Sequence, residues 1–321
     1  MSAVHLNGQA TTVTATDTCG PRIWAVASGK GGVGKSFISS SLGLALSRLG
    51  KRTVLVDLDL GGANLHTCFG MANSKRTLSA FIEGRQRDIN EFVQPIPHTT
   101  LGLISGASGG LEIANIKHFQ KQKILRNLRL IDADYVILDL GAGTTFNTLD
   151  FFTQADHGIV AVIPDPTSVE NTYRFLKCVM IRRLRQLPEA TRKLMMQALE
   201  SSDGEDKQTR TLATLVDAMQ RQHPDHARLL RGELASQQLH LIVNQVLEPS
   251  DTDLGSSIAM ACSKYFGQKV HYLGHLHHDR QVIATMRLRR PFLMENPQSR
   301  VAIYLENMAA ELLDWDKQPK T

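Results

Sequence analysis

The chain has 321 residues, 42% of them hydrophobic and 21% charged, with a formal net charge of +5 at pH 7. That is enough apolar material for one large α/β domain or two small ones, and the charge is too mild to point by itself to nucleic acid or anionic lipid. Cys19, Cys68, Cys178 and Cys262 are widely spaced with no CxxC pair, which argues against a zinc ribbon, a thioredoxin-like pair and a disulfide framework, and no apolar run is long enough for a membrane span.

Residues 1–20 are polar and Thr-rich, without the basic start and apolar run of a secretory signal; they read as a flexible tail. From there short apolar, β-branched runs alternate with helical segments. The runs are 22–28, 53–57, 101–105, 135–139, 158–163, 239–244 and 272–276; the helices are 36–49 (closed by Gly50), 117–131, 168–187, 253–266 and 298–313. Continuous apolar strands need cover on both faces, so this rhythm predicts a doubly wound, mainly parallel sheet with helices on both faces. Residues 188–238 hold no strand candidate, only helical pieces around the polar break 201-SSDGEDKQT-209. They are expected to form a helical insertion in a single domain spanning 21–321.

Between the first strand and helix lies 29-GKGGVGKS-36, which fits G-x-x-x-x-G-K-[ST]. Such a loop turns backbone N–H groups onto phosphate oxygens, aided by the helix N-terminus. Gly29, Gly31, Gly32, Val33, Gly34 and Phe37 are expected to contribute to this cradle. Lys35 should reach the β- and γ-phosphates of a bound nucleotide, and the Ser36 hydroxyl should ligate Mg²⁺. Asp57 and Asp59 stand two apart at the end of the second strand, where an extended chain aims both carboxylates the same way. The run 135-YVILD-139 ends in Asp139, a carboxylate placed to hold a Mg²⁺-bound water, followed by the glycine-rich loop 141–143.

The second lysine of the loop, Lys30, makes GKGGVGKS resemble the deviant Walker A motif of the MinD/ParA family, and DLDLGGANL (57–65) is similar to the form found in its FleN/FlhG flagellar-number regulators. The resemblance covers about 22–187 and 239–313. It implies an ATPase that forms a homodimer in the ATP state, with Lys30 crossing to phosphate bound by the other subunit. It also implies that Asp57 helps organise the Mg²⁺ shell, that Asp59 orients the attacking water, that Asn244 reads the adenine edge and that His277 or His278 lines the adenine pocket. Hydrolysis should be slow and stimulated by a protein activator or cargo, and the process governed would be placement of polar flagella, a division site or DNA. A cytoplasmic location with recruitment to a cell pole or nucleoid follows. Carriers related to the nitrogenase iron protein are an alternative, but they need paired cysteines at the interface.

Other features are read more blandly. Thr167 or Ser168 is expected to cap the helix that follows 164-PDP-166. The basic residues across 174–193, from Arg174 to Lys193, are a candidate DNA contact, with a second cluster at 287-RLRRP-291. Alternation should split the histidines of 271-HYLGHLHHD-279 between two faces, against a metal site. The stripe Val301, Tyr304, Leu305, Met308 and Leu312 faces a core, and the end of the sequence offers no convincing membrane anchor.

Overall fold

The computed structural model describes residues 20–59, 62, 64–72, 76–84, 88–106, 116–200 and 212–317. The expected tail, the break 201–209 and parts of 57–65 therefore lie outside the described residues. The strands are β1 (Arg22–Ala27), β2 (Thr53–Leu58), β3 (Gln94–Pro95), β4 (Leu101–Ile104), β5 (Tyr135–Leu140), β6 (His157–Val162), β7 (Gln238–Val246) and β8 (Val270–His277). The helices are α1 (Lys35–Arg48), α2 (Leu78–Glu83), α3 (His118–Leu128), α4 (Phe146–Thr153), α5 (Pro166–Leu184), α6 (Glu189–Glu200), α7 (Leu212–Gln222), α8 (Pro224–Ala235), α9 (Leu254–Phe266), α10 (Arg280–Arg287), α11 (Phe292–Glu295) and α12 (Arg300–Asp316).

The strands form one sheet in the order β3-β4-β2-β5-β1-β6-β7-β8. Every pairing is parallel except the short antiparallel edge β3–β4. Alternation along each strand divides the core in two. Ile23, Ala25 and Ala27 join Val54, Val56 and Phe175 beneath α2 to α5 and α9. Trp24 and Val26 face the other way, with Leu55, Ile38 and Leu305 beneath α1, α11 and α12. The chain passes from β1 across β5 to β2, and later from β5 back across β1 to β6. The connections part at the centre of the sheet, and the crevice at the C-terminal ends of these strands is where an open α/β sheet binds its ligand.

The insertion is helical, as expected, and it has a small core of its own. Leu187, Met195, Val216, Met219, Ala227, Leu230 and Leu234 pack with Leu184 of α5. Buried Arg183 of α5 fastens it: the guanidinium donates to the carbonyls of Glu233 and Leu234 (3.3 Å for the latter) and to Ser236 Oγ at 2.5 Å. Two of those acceptors are carbonyls in the last turn of α8, where the regular i→i−4 donors run out.

Helix α5 starts at Pro166, and its cap is neither Thr167 nor Ser168. Asp165 accepts from the N–H groups of Thr167 (2.9 Å) and Ser168 (3.0 Å). Proline has φ pre-set for the first helical position, which places the cap at Asp165, two residues before Thr167. The basic run is also thinner than its sequence suggests. Arg183 is buried, and Arg182 is turned onto Asp150 at 2.5 Å and over the Phe146 ring.

Candidate functional site

The loop 29–34 leaves β1 with Gly32 at φ +79° and Gly34 at φ +93°, conformations that side chains with a Cβ resist. Gly29 has a second reason to be glycine: a Cβ there would lie 2.2 Å from the carbonyl oxygen of Asn171 in α5. Helix α1 then begins with Gly34 as its N-cap and no side-chain cap. Its first-turn N–H groups thus have no side-chain acceptor, which together with the helix dipole suits them to an anion. Phe37 turns its ring into the core, edge-on to Phe292 at 5.5 Å. Only its backbone N–H is therefore available to a phosphate.

Parallel pairing sets Asp57 beside Asp139 at the ends of β2 and β5. Asp139 is buried and accepts from Ser36 Oγ at 2.6 Å and Ser39 Oγ at 2.9 Å. Burial raises its pKa to about 6 against those two hydrogen bonds. Burial likewise raises Asp57 to about 7, with the Asp139 charge adding to it. Lys35 is buried beside them; burial lowers its pKa, opposed by Asp139 and Asp59. A hydroxyl and a carboxylate facing one another are hard oxygen donors of the kind Mg²⁺ takes. Ser36 and Asp139 thus fit that ion, directly or through its waters.

Asp57 has a different first duty. Its Oδ1 accepts from Asp59 N at 3.1 Å and its Oδ2 from Leu65 N at 3.0 Å. Both oxygens hold the loop that carries Asp59, so Asp57 organises the site by positioning its neighbour. Asp59 lies against the glycine loop after β5: a Cβ on Gly141 would come within 3.4 Å of its Oδ1. That loop is tied back to the phosphate loop by Gly143 N donating to Ser28 O at 2.9 Å.

Lys30 is held outside this cluster. Its Nζ donates to Thr167 Oγ1 at 2.7 Å and to Asp165 Oδ2 at 3.2 Å. The contacts of Asp165 with Thr167, Ser168 and Lys30 hold its carboxyl pKa down at about 2. The two lysines of the motif therefore point to different carboxylates, one inside the site and one at its rim.

Two sequence expectations receive different surroundings. Asn244 is buried, and its Nδ2 donates to Val33 O at 2.8 Å, so it anchors the phosphate loop. His277 packs its ring 4.9 Å from His275 and 6.3 Å from Tyr304, on the α12 side of β8. Two residues escaped the sequence reading. Ser39 holds Asp139, and its place three residues after Ser36 on one helix was the available signal. Gln245 donates from Nε2 to Gly32 O at 3.2 Å, from a backbone at φ +58° that the sequence does not announce. No group of three or more potential ligands able to hold a metal ion occurs among the described residues, the histidines of β8 included.

The ParA family, described as the NUBPL iron-transfer P-loop NTPases, matches residues 21–186. Antiactivator FleN of Pseudomonas aeruginosa is 33% identical over 160 residues, covering 49% of this chain and 55% of that protein. The flagellum site-determining protein YlxH of Helicobacter pylori is 33% identical over 156 residues, covering 48% and 52%. The chain spans about half the length of these curated relatives. The septum site-determining protein MinD of Pyrococcus horikoshii, solved with Mg-ADP, superposes with a TM-score of 0.61 at 16% identity, covering 92% of this chain and 98% of that one. That likeness carries the fold, and the match over 21–186 covers more than half of the sequence. The chain belongs to the ParA family of P-loop NTPases.

Proposed function

We propose that the protein is a regulatory ATPase whose homodimer forms with Mg-ATP and comes apart after slow hydrolysis. The observation that carries this reading is the placement of Lys30. A lysine needed only for nucleotide binding within one chain would sit with Lys35, whereas Lys30 rests 3.2 Å from Asp165 at the exposed rim. Release from that carboxylate would free it to meet the triphosphate held by a second copy, where a cation neutralises charge developing on the transferred phosphoryl group. In the same scheme the loop amides and Lys35 bind phosphate, Ser36 and Asp139 hold Mg²⁺, and Asp57 fixes the loop from which Asp59 orients water. The ion itself would draw charge from the β- and γ-phosphate oxygens.

The name of the Helicobacter pylori relative, flagellum site-determining protein, concerns the flagellum. This supports a role in the number or placement of a polar structure, with a protein activator or cargo recognising the dimer. Iron transfer is the weaker reading: Cys68 and Cys262 are buried, and burial pushes their thiols up to about 11 and about 12, far from the thiolates a cluster needs. ATP turnover by Asp59→Ala tests the proposal. Nucleotide binding should persist while hydrolysis falls by ~100-fold or more. Unchanged turnover would remove Asp59 from its assigned role, and absence of ATP binding by the unaltered protein would end the ATPase reading.

A further inference from the structure

The second arginine cluster of the sequence has no place in the nucleotide site. Helix α10 buries only Thr285 and is otherwise exposed or half-exposed. Its open side carries Ile283 and Met286, 43% and 44% exposed, and the turn that follows presents Leu288 at 65%. Met294 of α11, which packs against α10, is exposed as well. Arg280, Arg287, Arg289 and Arg290 stand among these apolar side chains. Asp279 and Glu295 are the acids within the same stretch; Asp279 caps α10, and Glu295 pairs with Arg290 at 3.2 Å.

The backbone favours this presentation over the easier alternative. The ends of α1 and α9 use Gly50 and Gly267 for the left-handed position, but after α10 that position is Arg289, at φ +53°. A side chain is kept where glycine would be unstrained.

We infer that α10 and the turn after it form a docking surface for an anionic lipid bilayer. Apolar side chains interleaved with arginines are what an interfacial helix needs: the former leave water, and the latter meet headgroup charge with their stems lying along the boundary. Phosphate contacts with a nucleic acid would leave Ile283, Met286 and Leu288 in water. A two-fold contact with a second copy would set arginine against arginine. The C-terminal helix α12 is a poorer candidate, because its apolar face is in the core and its last turn is fastened by Asp316 to Arg22 at 3.2 Å and to His157 at 2.8 Å.

Flotation of the nucleotide-free protein with vesicles tests this independently of the ATPase proposal. Vesicles of phosphatidylcholine alone and of phosphatidylcholine with phosphatidylglycerol are compared at low salt, beside a mobility shift with duplex DNA. The unaltered chain should float with the anionic vesicles only. Arg280→Glu with Arg287→Glu, and separately Met286→Ser with Leu288→Ser, should each weaken that binding by at least about tenfold. All four positions are exposed, so unchanged circular dichroism is expected. The inference fails if the unaltered chain does not float with anionic vesicles. It also fails if the serine pair binds normally while the glutamate pair loses vesicles and duplex alike, the signature of a charge-only DNA surface.

Discussion

The floor and the rim of the phosphate site are built on different terms. On the floor, Ser36, Ser39, Asp57 and Asp139 are buried or half-buried and hydrogen-bonded to one another or to backbone, and Lys35 is buried among their charges, so the arrangement is held within one chain. At the rim, Lys30 and Asp165 keep side chains that are 40% and 32% exposed, joined by a bond that solvent screens. A buried network is costly to rearrange, while an exposed ion pair contributes little to stability. The contrast teaches where a switch can be placed: in the proposed scheme the floor would hold nucleotide, and the rim would be free to change partners.

The largest effect should come from breaking the floor. Lys35→Ala removes the buried cation between Asp139 and Asp59, and hydrolysis should fall by ~100-fold or more, with ATP binding weakened to match in a titration with labelled nucleotide. Retention of near-normal turnover would mean that the floor is not the phosphate site.

Next in size is Asn244→Ala. Loss of the bond to Val33 O leaves a buried carbonyl without its donor, and a denaturation midpoint should register about 1–3 kcal/mol. Because the amide holds the loop in this account, affinities for ATP and GTP should drop together. A drop confined to ATP would restore Asn244 to the adenine edge, the role that the family resemblance implies.

That residue shows what the sequence could and could not convey. The seven long strands lie close to their expected limits because continuous apolar runs leave few alternative registers. The loop 29–36 and the carboxylates at 57, 59 and 139 were legible for a related reason: spacing fixes them to strand ends on one side of the sheet. The direction of a side chain at the end of a strand is not periodic, so Asn244, His277 and Gln245 had to be seen. Helix α4 was missed because FNTLDFFT (146–153) is short and mixes β-branched and aromatic residues, and tertiary packing of Leu149, Phe151 and Phe152 decides it. The cap at Asp165 was displaced by a single proline.

A smaller effect is expected at the rim itself. Asp165→Asn keeps an N-cap for α5 and removes the charge that Lys30 meets. The ATP concentration needed for dimerisation should fall by up to about fivefold. A rise would show that Asp165 assists the dimer and does not restrain Lys30.

The smallest effect lies at the far end of β7 and serves as a control. His240 is fully buried, and burial, followed by His157 and His271, holds its pKa well below 6.5. The unfolded imidazole takes up a proton near 6.5 while the folded one does not. Its contribution to stability is therefore complete above that pH and declines as pH falls below it, by at most ~1.4 kcal/mol per pH unit. Thermal midpoints should show this slope, His240→Gln should flatten it, and nucleotide binding at neutral pH should not change.

The measurement that bears most directly on the two-lysine account is molar mass by light scattering after size exclusion, with ADP and with ATP, for the unaltered chain and for Lys30→Ala. The account predicts a dimer with ATP and a monomer with ADP for the former, and a monomer in both nucleotides for the latter with ATP binding retained. Equal masses for both proteins in ATP would mean that Lys30 does not cross between subunits, and its bond to Asp165 would then be part of the resting fold and no switch.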